Sequence, residues 1–364
     1  MKKICIIGQF PPPLHGLSKA LDTLYNSKLK NEFNFEKVDI TNNKKIIKNI
    51  IKIIKNNSDI FYLTISQTKV GNIRDLVLLK ILQLRKKKTI VHLHGGYYRN
   101  LIEKDVCSLQ KYLNFRIMKN VSAAIVLGDL LSNIFDGIIE KERIYIVPNC
   151  VDNKFLISNV EFKNKIDTID KLDRLNIIYL SNFIESKGYK EVLEVARYAK
   201  YKGDDRFKFK FAGKFFSEIE KKEFFNYIDK NDLEEIVEYK GIVDGKEKKD
   251  LLIEGNIFIL LTRYPKEGQP ISIIEAKGNG LVTITTNHAG ILDLMSKEEE
   301  NLGCIINDVY NYKYILELLN NLYKNREDFK KVVIRNRKEV LDKYTENNYL
   351  EKLRYVFISV LDQK

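Results

Sequence analysis

Apolar positions along the chain are grouped in two ways that alternate. Short runs rich in Ile, Val and Phe occupy residues 4–7, 60–63, 89–94, 124–127 and 144–147. Stretches of helical period lie between them, at 17–25, 72–84 and 129–140. That rhythm predicts βαβ units and a parallel sheet covered on both faces. It resumes at 177–180 and continues through 207–211, 236–239, 257–261, 281–285 and 304–306. Between the two series, residues 147–176 lose the apolar rhythm, gain Asn and Asp, and read as a connector. From Glu327 onward the strand pattern stops and two helical patterns finish the chain. The expected fold is α/β: two tandem Rossmann-like, doubly wound parallel sheets facing a cleft, with 1–152 as the first domain.

Composition agrees with a chain that folds unaided. It has 364 residues, 44% hydrophobic and 30% charged, with 62 Lys and Arg against 49 Asp and Glu, a net +13. Such a balance favours anionic partners. The excess is concentrated, since residues 1–152 carry +12 and the remainder +1. Only one domain is then expected to face a polyanionic surface. Four scattered cysteines with no CxxC fit a reduced, cytoplasmic protein. The N-terminal apolar run is too short for a signal peptide, and no apolar span reaches 18 residues.

Open parallel sheets bind ligands beyond the carboxyl ends of their strands, so the loops after each strand hold the candidate chemistry. After 257–261 come Glu267, Gly268, Gln269 and Pro270, then a helix over 271–277 with Pro270 at or near its first position. The amides of Ile271 and Ser272 would point into the cleft, where the positive dipole end suits a phosphate. Glu275, one turn in, could accept from paired hydroxyls. After 177–180, Asn182, Lys187 and Gly188 precede a helix, offering a point charge and close backbone approach to a diphosphate; alone they also read as an exposed lysine and a turn glycine. GQFPPPLHGLSKAL places Gly16 between strand and helix, and its lack of GxGxxG disfavours NAD. His92 and His94 share one face of a strand, with His94 at its end; either packs in the core or meets a sugar hydroxyl or phosphate. No DxD or HExxH occurs, so no obligatory metal and no cofactor are expected.

The segment KKIIKNIIKIIK, 44–55, predicts a helix with Ile46, Ile47, Ile50, Ile51 and Ile54 on one side, covering the sheet or lying on anionic lipid. With Arg85, Lys86, Lys87 and Lys88, its lysines would form a basic face toward acidic headgroups. The helix contains no aromatic residue, which argues against nucleic acid.

Taken in order, PPPLHG, HLHGG, IVPNCVD, ESKG, FKFKFAGK, VEYKGIV and the E-x7-E pair Glu267 and Glu275 followed by LVTITTNHAGILDL resemble the family 4 glycosyltransferases, retaining enzymes of the GT-B fold. The resemblance covers most of the chain. It implies that Gly16 lines a donor phosphate loop, and that His94 contacts the transferred sugar and assists catalysis. Lys187 would bind the diphosphate and Glu275 the ribose hydroxyls, while Glu267 with Gly268 and the amides after Pro270 would face sugar and phosphate. Where the family carries Gly-Arg, this chain has Ser181 and Asn182, which leaves Lys187 as the main nearby cation. The implied donor domain is 153–345, and 346–364 would cross back onto the N-terminal domain. The implied activity is transfer of a hexose from a nucleotide diphosphate sugar, UDP-linked in preference to GDP-linked. The acceptor would be a glycan or lipid-linked precursor in bacterial cell-surface polysaccharide assembly, met on the inner face of the membrane. The alternatives are another GT-B enzyme, such as a sugar-nucleotide epimerase, or a non-catalytic partner subunit.

Overall fold

The computed structural model describes residues 1–12 and 16–363, so Pro13, Leu14 and His15 of the PPPLHG loop lie outside the described residues. The chain forms two compact units. The first comprises residues 1–149, 266–269 and 346–364; the second comprises 150–265 and 270–345. The first sheet contains β1 (Lys2–Gly8), β2 (Phe33–Asp39), β3 (Ile60–Thr64), β4 (Lys88–His92), β5 (Ala123–Val126) and β6 (Ile144–Ile146), in the order β2-β1-β3-β4-β5-β6. The second contains β7 (Leu175–Leu180), β8 (Phe207–Ala212), β9 (Val237–Tyr239), β10 (Ile257–Leu260), β11 (Val282–Thr286) and β12 (Ile305–Ile306), in the order β12-β11-β10-β7-β8-β9. Every pairing is parallel.

The central strands β3, β5, β10 and β11 are buried at every position, which is why they read as unbroken apolar runs. β2 escaped that reading. It lies at the sheet edge and alternates, hiding Phe33, Phe35 and Val38 while Asn34, Glu36 and Lys37 face solvent. Chain order reverses between β1 and β3 in the first sheet and between β7 and β10 in the second. Loops leaving those strands are where an open sheet opens a binding crevice.

Three expectations are corrected. The expected connector is partly helical: Ser158 and Glu161 form a capping box that starts the helix Asn159–Thr168. The stretch 129–140 holds a 3-10 helix, Asp129–Phe135, in place of a longer α-helix. The helix Ile46–Lys55 is rotated from the expected seating. Asn49 donates to the Asp39 carbonyl at 2.9 Å and is buried with Ile53, so Ile47, Ile51 and Ile54 face outward.

The helix Glu346–Asp362 belongs to the first unit. Phe357 packs edge-on against Phe33, Phe35 and Tyr62 at ring distances of 5.7, 6.4 and 6.0 Å. Lys88 closes the end of this helix by donating to the carbonyls of Leu361 and Gln363 at 2.8 and 2.5 Å. Arg85 and Lys87 likewise bond backbone carbonyls, Arg85 those of Ile53 and Asn56 and Lys87 that of Ser58. Of the expected Arg85–Lys88 basic face, these three side chains therefore serve as local braces. Among the described residues, no helix is long and apolar enough to cross a membrane.

Candidate active site

In the second unit the loops after β7 and β10 meet at the switch in strand order. The loop after β7 passes through exposed Asn182 to a 3-10 turn, Glu185–Lys187, closed by Gly188. Gly188 has φ +83°, and a Cβ there would stand 2.3 Å from the Leu261 carbonyl oxygen. Only glycine lets this turn press against the end of β10. Lys187 comes to rest with Nζ 4.8 Å over the Tyr264 ring, a cation–π contact that holds the ammonium at the loop cluster. The Tyr264 carbonyl in turn bonds His288 Nε2 at 2.7 Å, which ties in the loop after β11.

The loop after β10 leads to the helix Ile271–Gly278, with Pro270 at the N-cap just outside it. Pro270 supplies no side-chain acceptor, and the first amides, those of Ile271 and Ser272, lie at the positive end of the helix. Glu275 is fully inside the helix and buried. The Lys248 ammonium, from the helix Gly245–Glu254, lies 2.6 Å from its Oε1. Burial pushes the Glu275 carboxyl up and Lys248 pulls it back, with Asp152 and Asp244 adding to the upward push. Two helix positions on, Lys277 is buried against Glu299 at 3.1 Å and Glu339 at 3.4 Å and anchors the helix from below.

The first unit holds the other half of the predicted set. Residues 266–269 group with it although they lie in sequence between β10 and the helix Ile271–Gly278. The Gly96 amide donates to the Glu267 carbonyl at 2.6 Å. A Cβ on Gly268 would lie 2.6 Å from the His94 carbonyl oxygen, so the two strips are in backbone contact. Asn149 fastens the arrangement, its amide donating to Gln269 Oε1 at 3.1 Å and its Nδ2 to the Gln269 carbonyl at 2.8 Å. His94, Glu267 and Gly268 are thus brought together, with Glu267 buried.

His94 lies two residues beyond β4, which ends at His92. The two imidazoles stack with centroids 3.9 Å apart and planes at 31°, and His92 Nδ1 is hydrogen-bonded to the Tyr62 hydroxyl. Burial pushes the His94 imidazole down to about 4, and a hydrogen bond with the Asn149 side chain draws it part of the way back. At neutral pH this ring is an uncharged hydrogen-bonding group. Its Nε2 is buried and has no hydrogen-bond partner within the protein. Gly16 is exposed at the first position of the helix Gly16–Tyr25, and the three residues before it lie outside the described residues.

Sequence reasoning missed Lys248, Arg263 and Asn149. Lys248 sits among Lys246 and Lys249, and nothing in the spacing marks it as the partner of a residue 27 positions away. Arg263 was discoverable, because it directly follows β10 in a loop already under scrutiny. Its amide donates to the Ser186 carbonyl at 2.6 Å, and its guanidinium pairs with Glu191 at 2.5 Å. The Arg263 backbone thus braces the turn that carries Lys187, while its charge is engaged by Glu191.

Two all-parallel six-stranded sheets with flanking helices, with loops from neighbouring strands meeting at the switch in strand order, define the GT-B fold. Residues 161–340 match the family model described as glycosyl transferases group 1, so the second unit carries that domain. No curated protein sequence matches the chain significantly. Among solved structures, HepE of Anabaena in complex with UDP is similar over 99% of this chain and 100% of its own, with TM-score 0.74 and 12% identity. Sucrose-phosphate synthase from Thermosynechococcus elongatus covers 99% of each chain with TM-score 0.73 and 10% identity. A glycosyltransferase from Rickettsia africae covers 100% of each with TM-score 0.72 and 15% identity.

Proposed function

We propose that this chain is a retaining, family 4 glycosyltransferase that moves a hexose from a UDP-linked donor to a glycan or lipid-linked acceptor, in the assembly of a bacterial cell-surface polysaccharide. The observation that carries the reading is that the two strands at the switch, β7 and β10, are followed by the loop that holds the Lys187 ammonium on Tyr264 and by the helix Ile271–Gly278. A diphosphate leaving group needs fixed positive charge where its own charge develops. Lys187 and the Ile271 and Ser272 amides supply it without a metal, and Glu275 takes the ribose hydroxyls through the lone pairs that Lys248 leaves available. Uncharged His94 offers Nε2 to a sugar hydroxyl, and Glu267 faces the same sugar. The donor assignment draws support from HepE, which has been crystallised with UDP and with UDP-glucose.

Calorimetry with UDP and GDP, followed by product NMR with chelator present, tests this. UDP binding that falls by about 1.5–3 kcal/mol in Lys187→Ala is expected, the range for hydrogen bonds to a charged group. Turnover that survives chelator with anomeric configuration kept is also expected. Failure of both nucleotides to bind, or a strict divalent-cation requirement, would overturn the assignment.

A further inference from the structure

In the first unit, chain order runs from β2 to β3 to β4 to β5 in one direction across the sheet, apart from the place taken by β1. Right-handed crossovers then put the connecting helices Ile46–Lys55, Lys69–Leu84 and Ser108–Met118 on the same face, and each packs beside the next. These helices are apolar on two sides. Their inward sides bury Ile53, Leu78, Leu79, Leu82, Ile117 and Met118 together with a polar set, Asn49, Asn72, Asp75, Gln110 and Asn114. Asn72 and Asn114 exchange hydrogen bonds at 2.8 and 2.9 Å, and Gln110 donates to Asn72 at 2.8 Å. Their outward sides carry apolar stripes at helical spacing. These are Ile47, Ile51 and Ile54; Val70, Ile73, Val77 and Leu84; and Leu109 with Tyr112, all exposed. Between the second and third helices lies an apolar groove of about 560 Å³ that includes Ile73, Val77 and Leu109.

Solvent does not explain the outer stripes, because a helix that already buries one apolar side against its sheet normally presents a polar side to water. Its charge points to the occupant. The three helices carry Lys48, Lys52, Lys55, Lys69, Arg74, Lys80, Lys111 and Arg116 against one acid, Asp75, which is buried and paired with Arg74 at 2.8 Å. Among the described residues, Lys48, Lys52, Lys55, Lys80 and Lys111 form no ion pair. Lys45, Lys48 and Lys52 also line, with Asn42 and the single acid Asp39, a polar hollow of about 290 Å³ of a size for a headgroup phosphate. We propose that this three-helix face docks on an anionic phospholipid bilayer, the isoleucine and valine stripes entering the interface and the lysines meeting the headgroup phosphates. The proposal does not depend on the transferase reading.

Co-sedimentation of the full chain with vesicles of phosphatidylcholine, alone and mixed with phosphatidylglycerol, tests it at low and high salt. Binding to the mixed vesicles that weakens with salt is expected. The variant Lys48→Glu, Lys52→Glu, Lys80→Glu should lose about a hundredfold in affinity. The variant Ile51→Ser, Ile73→Ser, Leu109→Ser should lose about tenfold, and should still do so at high salt. Thermal melting checks that both fold, and the lysine variant alone decides if the serine variant does not. Equal binding to neutral vesicles, indifference to the lysine changes, or a dimer that the serine changes dissolve would each overturn the proposal.

Discussion

Replacing Lys248 by Met removes the only cation paired with Glu275 among the described residues, and the consequence follows from burial. Glu275 is 3% exposed, its Oε1 lies 2.6 Å from the Lys248 ammonium, and Asp152 and Asp244 are the neighbouring charges that remain. A buried carboxylate stripped of its partner is an uncompensated charge, which costs about 3–5 kcal/mol. In a unit of this size that corresponds to a fall in Tm of about 6–20 °C. The cost has a pH signature. Without Lys248 the folded-state pKa of Glu275 rises further above its unfolded value, so the penalty is full above the raised value and fades as pH falls and the carboxyl takes a proton. Adding Glu275→Gln should restore most of the loss, since an amide needs no counter-charge. Urea titrations of wild type, both single variants and the double variant between about pH 5 and 8 measure the coupling directly. A loss below about 1 kcal/mol for Lys248→Met, or one that does not change with pH, would refute the buried-pair reasoning.

Acid should destabilise the first unit through His94. The unfolded imidazole takes a proton near its ordinary value of 6.5, whereas the folded one resists until about 4, so stability is complete above that window and is lost as pH falls through it, by up to about 3 kcal/mol. Denaturant midpoints should flatten over this range in His94→Gln, and an unchanged pH profile would contradict the buried-neutral assignment. Gly188→Ala combines a left-handed φ of +83° with a Cβ 2.3 Å from a backbone oxygen, and should cost about 2–4 kcal/mol by thermal melting; a neutral change would mean the turn is free to relax.

What the sequence revealed depended on how far apart the cooperating residues lie. The inner strands of the second sheet, β7, β8, β10 and β11, could be found because they are buried almost throughout, so residue type alone marks them, and the short edge strands β9 and β12 still carry Val237, Tyr239, Ile305 and Ile306. β2 could not, because an edge strand with Glu36 and Lys37 in solvent looks like a loop to any test of apolar runs. The loops carrying Lys187, Gly188 and Pro270 announced themselves by following strands. Their pairings did not: Lys187 over Tyr264, Lys248 on Glu275 and Asn149 on Gln269 join residues 77, 27 and 120 positions apart. The helix Ile46–Lys55 shows the opposite failure, where a strong local pattern suggested which side faces inward and one Asn49 hydrogen bond to Asp39 chose another.

The fastening of Glu346–Asp362 to the first sheet sets an order of events during synthesis. Phe33, Phe35 and Tyr62 leave the ribosome about 300 residues before the ring that covers them, Phe357. At about 5–20 residues per second, the intervening translation leaves that aromatic surface bare for about 15–65 s, while everything needed for the second sheet emerges in the meantime. A nascent chain of this kind closes its first sheet only after its second has been made. A premature stop codon just before Phe357 would therefore damage the sheet built from the earlier residues.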